Sequence, residues 1–391
     1  MPSHPSPPLA PIDLLRRLVA FDTTSAKSNL ELIAFVEAFL DGHGIEAHVI
    51  PGEDGAKANL FASIGPDVPG GVVLSGHTDV VPVTGQRWTS DPFTLTERGG
   101  RLHGRGCADM KGFIAVALAM VPEFKGRALA VPIHLALSYD EEVGCLGAPR
   151  LLERLAAVAP KPALAIVGEP SEMKVANSHR GINTFETRVT GRPGHSSDPG
   201  AGVNAIAEAA ECIAFLGRLG SEFGAGRERA DGMAPDWTTV NVGTIEGGTA
   251  VNIIAEHCRF RWECRPEAGT DAEAVLARLR EFTETEALPR MRAVTPDAAI
   301  ATEAGVTVPA LTVEPDSPAE TLALALTGHN RCVSVPFASE AGLFQRAGIP
   351  AVVCGPGSPA QAHQPDEFVT VDQIEACVAF MRRLADWAGR R

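Results

Sequence analysis

No two of the eight cysteines form a CxxC pair; they are scattered at 107, 145, 212, 258, 264, 332, 354 and 377 along 391 residues. Spacing of that kind argues against a disulfide framework at this length and leaves free thiols in a reducing cytoplasm as the expectation. Long apolar runs are also missing. The longest, Gly112 to Pro122, is far short of a membrane span. The opening MPSHPSPPLAP is rich in proline without an apolar core, so it reads as a polyproline-like lead-in and not as a signal peptide. Basic residues are the minority, Lys+Arg 34 against Asp+Glu 48, for a formal net charge of −14. That balance denies the chain the basic surface a general nucleic-acid or anionic-membrane binder needs, so neither partner is expected. No internal repeat is present, and no GxGxxG joins a strand to a helix, which removes a dinucleotide fingerprint. What remains is ordinary for a globular protein: 45% hydrophobic and 21% charged residues. The length suits two or three domains, each with its own core.

Periodicity divides the chain into three stretches. In the first, helical spacing over Ile12–Phe21, Leu30–Leu40, Gly112–Met120 and Gly147–Val158 alternates with short apolar strands at Asn59–Ile64, Val72–Ser75, Ile133–Ser138 and Ala163–Val167. That alternation predicts an α/β layer with a largely parallel sheet. After Arg180 the pattern changes to a half-exposed strand (Thr184–Thr190), a helix (Val203–Leu219) and a Gly/Asp-rich gap (Gly224–Gly232). A hairpin of Thr238–Ile245 and Val251–Arg261 around Glu246-Gly247-Gly248 follows, then a helix (Asp271–Thr285) and a further strand, together an α+β unit. The α/β pattern resumes with helices at Ala319–Leu326, Glu340–Ala347 and Val371–Ala388 and strands at Cys332–Val335 and Ala351–Cys354. The expected organisation is one α/β domain of residues 1–180 and 313–391, interrupted by an inserted α+β domain of residues 181–312.

The acids and histidines with chemical interest all fall at predicted strand ends or in glycine turns. They are Ser75-Gly76-His77-Thr78-Asp79 after VVLS, Asp109 within GRGCADMKG, Asp140-Glu141-Glu142 after IHLALS, Glu169 in VGEP, and His363 in AHQPDE. In open α/β sheets ligands bind beyond the carboxyl ends of the strands, so these segments are expected to converge. Each alone has a bland reading: a loop histidine, an Asp helix cap, a solvated acidic turn. Jointly they supply two imidazoles and several carboxylates without thiolate, which suits zinc, cobalt, manganese or iron. An acid between two histidines can bridge two cations ~3.5–4 Å apart.

The set SGHTDVVP, GRGCADMKG, DEEVGCLGA, GEP and AHQPDE resembles, in order and over essentially the whole chain, the M20 family of co-catalytic metallo-amidohydrolases. The resemblance implies a zinc-exopeptidase-like α/β catalytic domain with an inserted α+β lid and dimerisation domain. It also implies two divalent ions, zinc first and cobalt as the alternative. By the same resemblance His77 and Glu169 would hold one ion, His363 and Glu142 the other, and Asp109 would bridge them across a cis Asp109–Met110 peptide. Asp79 would hold the His77 ring, and Glu141 would be the general acid/base. In GRPGHSS, His195 would reach the neighbouring active site of a homodimer. Asn252, Arg261 and Arg265 lie where relatives contact substrate. Arg265 is the choice for a substrate carboxylate, which a guanidinium matches bidentately, against a plain surface arginine. Ala338-Ser339-Glu340-Ala341, the HRG at His179–Gly181 and the Gly355–Ser358 turn before AHQPDE resemble the branch of the family that deacetylates N2-acetyl-L-ornithine. Glu340 would then favour the cationic amine of the substrate, against a simple helix cap. Another amide specificity of the family, or a non-catalytic metal-binding relative, stays open at this point.

Overall fold

The computed structural model describes residues 9–228, 237–267 and 271–390. The start of the proline-rich lead-in and the Gly/Asp-rich gap beyond residue 228 lie outside these. The described strands in chain order are β1 (Ala47–Pro51), β2 (Ala58–Ile64), β3 (Val72–His77), β4 (Thr96–Arg98), β5 (Arg101–His103), β6 (Ile133–Ser138), β7 (Leu164–Pro170), β8 (Ala176–His179), β9 (Ile182–Thr190), β10 (Thr239–Gly247), β11 (His257–Arg265), β12 (Ala299–Val308), β13 (Val333–Val335), β14 (Ala351–Gly355) and β15 (Phe368–Thr370). The chain separates into two compact units, residues 1–179 with 311–391, and residues 180–310.

The first unit is built on an eight-stranded sheet of order β1-β2-β6-β3-β7-β14-β8-β13. Its four central strands β6, β3, β7 and β14 are parallel to one another; at one side β2 runs antiparallel to β6, and β1 antiparallel to β2. Alternate side chains of a strand point to opposite faces. Leu74, Leu135, Ile166 and Val352 join one apolar cluster with the helices Pro11–Val19, Leu30–Gly42, Lys111–Ala119, Pro318–Thr327 and Val371–Ala388. Val73, Ala165, Val167 and Val353 point the other way and are also buried. Ala148–Val158 and Ala341–Arg346 pack against each other and the sheet outside that cluster. Burial on both faces is why these strands read as unbroken apolar runs in the sequence. β15, β5 and β4 form a small antiparallel sheet beside them.

Among the buried strand residues that break the apolar rule, a histidine lies away from the strand ends that carry the chemistry. His134 on β6 is buried against the Phe61 ring at 5.4 Å, with Nδ1 2.8 Å from Ser63 Oγ. Burial penalises the imidazolium and lowers its pKa to about 4. The folded state therefore holds this proton less tightly than the unfolded one, so its contribution is full above ~6.5 and is lost as pH falls towards 4. The difference amounts to at most ~3 kcal/mol. Urea unfolding at pH 7 and pH 4.5 should show a smaller acid loss in His134→Gln than in the parent chain. An identical loss in both would remove His134 from the account.

The second unit is a four-stranded antiparallel sheet of order β10-β11-β9-β12. Helices Ala205–Phe223 and Ala272–Phe282 share its core with Phe185, Phe260 and Trp262, and the Phe185 and Trp262 rings stack at 4.2 Å. Asn204 caps the first helix through its side chain, accepting from the Ile206 and Ala207 amides. The other face carries exposed ion pairs such as Arg261–Glu186 and Arg188–Glu303, each worth little in water. The expected tight hairpin is corrected here. β10 does run to Gly247, but its partner starts at His257. The apolar run from Val251 instead lies against the 194–196 loop: Ile254 N donates to Gly194 O, Ser196 N donates to Asn252 O, and Ile253 bridges His195. Ile254 is thereby buried without belonging to the sheet.

Candidate metal centre

The parallel strands deliver the acids and histidines to one edge. His77 is the last residue of β3, Glu169 lies at the end of β7, Glu141 and Glu142 follow β6, and His363 follows β14. Asp109 enters from the side, just before the helix Lys111–Ala119, and the Asp109–Met110 peptide is cis. Close packing makes glycine obligatory next to Glu169. A Cβ on Gly168 would come within 2.0 Å of the Phe113 ring of the helix Lys111–Ala119.

The side chains converge. His77 Nε2 is 3.0 Å from Asp109 Oδ1 and 3.7 Å from Glu169 Oε1. His363 Nε2 is 3.3 Å from Asp109 Oδ2 and 2.9 Å from Glu142 Oε2. Asp109 thus turns one oxygen to each histidine, the disposition of a bridging carboxylate. Ligand atoms of His77, Glu141 and Glu169 lie within 4.8 Å of one another, as do those of His77, Asp109 and Glu142. His77 Nδ1 is 2.9 Å from the Asp79 main-chain carbonyl, which sets the tautomer that leaves Nε2 free to ligate.

The cluster carries more negative charge than the protein balances. Burial pushes the Glu169 carboxyl well up, with Asp109 adding and His77 opposing. It raises Glu141 and Glu142 as well, against the pull of His77 on the first and of His363 and His77 on the second. Burial disfavours a charged His77 ring, yet the Glu169 and Asp109 carboxylates hold its pKa well above the usual value. Bonds to Asp109 and Glu142 push His363 up to about 10, and for Asp109 the two imidazoles outweigh burial and lower its pKa. Carboxylates that resist ionisation beside imidazoles that attract protons are what two divalent ions would resolve. Glu169 Oε1 is buried without a hydrogen-bond partner. The donor set fits such ions: imidazole and carboxylate around bonds of ~2.0–2.2 Å put neighbouring ligand atoms ~3–4 Å apart.

Asp79 does more than its spacing from His77 suggested. Its carboxylate is 3.7 Å from His77 Nδ1, beyond a hydrogen bond, and instead accepts from the amides of Glu141 at 3.0 Å and Glu142 at 3.3 Å. Ser25 Oγ donates to the same carboxylate at 2.7 Å, and Lys57 ties Ser25 O to Asp140. Ser25 and Lys57 carried no signal in the sequence, because each acts across a long stretch of chain. Glu340 is placed differently from expectation. It is 1% exposed and accepts from Ser75 Oγ at 3.1 Å, and burial raises its pKa. A carboxylate so enclosed acts on neighbouring charges and offers no open surface to a substrate amine. It stands at the N-cap of Ala341–Arg346 without a side-chain cap bond. His195, Asn252 and Arg265 belong to the second unit. His195 is exposed, with Nδ1 2.7 Å from Ser197 Oγ; Asn252 is exposed in a turn outside β11; Arg265 closes β11 and pairs with Glu263 at 3.2 Å.

A mostly parallel sheet ending in an imidazole–carboxylate cluster defines a candidate centre for divalent metal ions. The family model Peptidase family M20/M25/M40 matches residues 73–387, a span that contains the whole cluster. The chain belongs to this family. Acetylornithine deacetylases of Photorhabdus laumondii and Proteus mirabilis are 34% and 35% identical to it over 382 and 383 residues, covering 96% of each chain. Aminopeptidase PepT from Bacillus cereus superposes with a TM-score of 0.73 at 20% identity, covering 97% of this chain and 98% of its own. A Bacillus subtilis protein described as a dinuclear metal binding peptidase from M20 family gives 0.68 at 16% identity, with 96% of each chain covered. These two likenesses concern the fold. Among the described residues no helix is long and apolar enough to cross a membrane.

Proposed function

We propose that the chain hydrolyses the amide of N2-acetyl-L-ornithine, releasing acetate and L-ornithine for arginine biosynthesis in the cytoplasm. The observation that carries this reading is the near full-length identity to enzymes named for that reaction, together with the clustered donor set. His77 and Glu169 would hold one cation, His363 and Glu142 the other, and Asp109 both, with zinc first and cobalt as the alternative. When bound, the pair supplies polarisation of the acetyl carbonyl and a water acidic enough to attack near neutral pH. Glu141 takes the water's proton and passes it to the leaving amine. Asp79 fixes the loop that carries Glu141. The unit of residues 180–310 would act as lid and dimer surface, Arg265 and Asn252 binding substrate. There, His195 of the partner subunit would donate to the developing oxyanion, where one lost donor typically costs ~10²–10³ in rate.

The test is a substrate panel: N2-acetyl-L-ornithine, N-succinyl-diaminopimelate and neutral N-acetyl amino acids, before and after chelation and after return of zinc or cobalt. The expected kcat/KM for acetylornithine exceeds the others at least ~10-fold, a difference of ~1.4 kcal/mol in transition-state binding. A higher value on the succinyl compound or on a neutral substrate would move the assignment to another specificity of the family.

A further inference from the structure

The segment after His363 ends in an acid that touches no imidazole yet is 1% exposed, Glu367. Its Oε1 accepts from the amides of Ala108 at 2.9 Å and Asp109 at 3.1 Å. Its Oε2 accepts from the Gly106 amide at 3.0 Å and from Arg105 Nη1 at 2.7 Å. Three main-chain donors thus converge on one carboxylate, an anion nest made by the very loop that carries Asp109. Arg105, also 1% exposed, lies over the Trp88 ring at 5.1 Å and donates from Nη2 to Gln86 Oε1 at 2.6 Å. Gln86 Nε2 then donates to the main-chain carbonyl of His363 at 2.8 Å. His363 has φ of 63°, in the left-handed region that few non-glycine residues adopt. The chain of bonds therefore runs from the loop of Asp109 through Glu367, Arg105 and Gln86 to the backbone of His363.

We infer that Glu367 and Arg105 are positioning residues for the cation between Asp109 and His363: with Gln86 they hold both donors at one spacing. The inference rests on the two-cation reading above and adds to it the residues that set one half of the centre. The half made by His77 and Glu169 lies at the ends of β3 and β7 and meets this network only through the shared Asp109, whose Oδ1 is 3.0 Å from His77 Nε2, whereas the other half is held at both Asp109 and His363. The two halves should therefore respond differently to its loss.

The test titrates cobalt(II) into the metal-stripped full-length chain and follows both absorption and heat. In Glu367→Gln one of the two cobalt sites should weaken by ~10–100-fold, the usual cost of removing an outer-shell partner, while the other, which shares only Asp109 with the network, weakens several-fold less. Because that variant leaves Arg105 buried without its carboxylate, Gln86→Ala is measured beside it; it breaks the link to His363 without stranding a charge. It should weaken the same site in the same direction by less. His363→Ala identifies which site that is. Equal weakening of both sites in Glu367→Gln marks a general structural role and overturns the inference. Unchanged cobalt affinities in a folded Glu367→Gln do the same, as does a Glu367→Gln that fails to fold while Gln86→Ala binds like the parent. A parent chain that takes up fewer than two cobalt ions fails the two-cation reading itself, and the positioning role falls with it.

Discussion

Glu141→Gln should lower kcat by ~10²–10⁴ while the protein keeps its full complement of metal. The size is that of a lost general acid/base, about 3–5 kcal/mol of barrier. Glutamine fills the same volume and cannot carry the proton. Several contacts put Glu141 in position for this work. Its amide is held by Asp79, its Oε1 is 3.4 Å from the Cys145 thiol, and its carboxylate is within 4.8 Å of the ligand atoms of His77 and Glu169. In the metal-free chain burial, with Glu142 adding and His77 opposing, raises its pKa well above the usual carboxylate value. Its neighbour has different contacts: Glu142 Oε2 pairs with His363. Glu142→Gln should therefore lose one ion. Metal analysis beside steady-state kinetics separates the two positions, and loss of an ion from Glu141→Gln would exchange the roles of the two acids.

Much of this was readable because parallel strands buried on both faces leave a plain mark. VVLS and IHLALS are mostly apolar, so the acids and the histidine that follow them stand out as strand-end groups. The structure does gather His77, Asp109, Glu141, Glu142, Glu169 and His363 in one cluster. Less readable were features decided by distant partners. Val251–Ala255 has the apolar content of a strand, but its partner is the loop at Gly194–Ser196, which no periodicity announces. Glu340 sits beside a helix start as a cap would, yet its carboxylate is buried against Ser75, far away in the chain. The contacts of Asp79 with the Glu141–Glu142 loop, and of Glu367 with the Asp109 loop, join segments with no common pattern. Short edge elements such as β4, β5 and β15 were invisible for a related reason: three-residue strands owe their existence to one another.

Removing the metal should abolish hydrolysis and should also make stability fall as pH rises from 7 to 9. Without cations, Glu141, Glu142 and Glu169 have raised pKa values in the folded chain, as have His77 and His363, the last at about 10. Groups of raised pKa bind protons more tightly when folded. Their stabilising contribution is complete below the unfolded values, near 4.3 for Glu and 6.5 for His, and is lost as pH climbs through the folded ones. Asp109 is shifted the opposite way, but it acts only in the acid range below 3.8, and the His134 effect is already flat above ~6.5. Lys111, whose pKa burial lowers to about 7, works the other way by up to one proton, but His77 and His363 together outweigh it, so from pH 7 to 9 the slope of the metal-free protein is negative. Two divalent ions would replace the protons as counter-charge, with an affinity that grows as the ligands deprotonate. Free zinc at ~1,000 times a site's dissociation constant adds ~4 kcal/mol for that site. The melting temperature of the chelated enzyme should drop by several degrees between pH 7 and 9, and the increment restored by zinc should widen over the same interval. A metal-free melting temperature that is level or rising across that window, or a zinc increment that does not grow, would show that His77, Asp109, Glu142, Glu169 and His363 do not form the cation site.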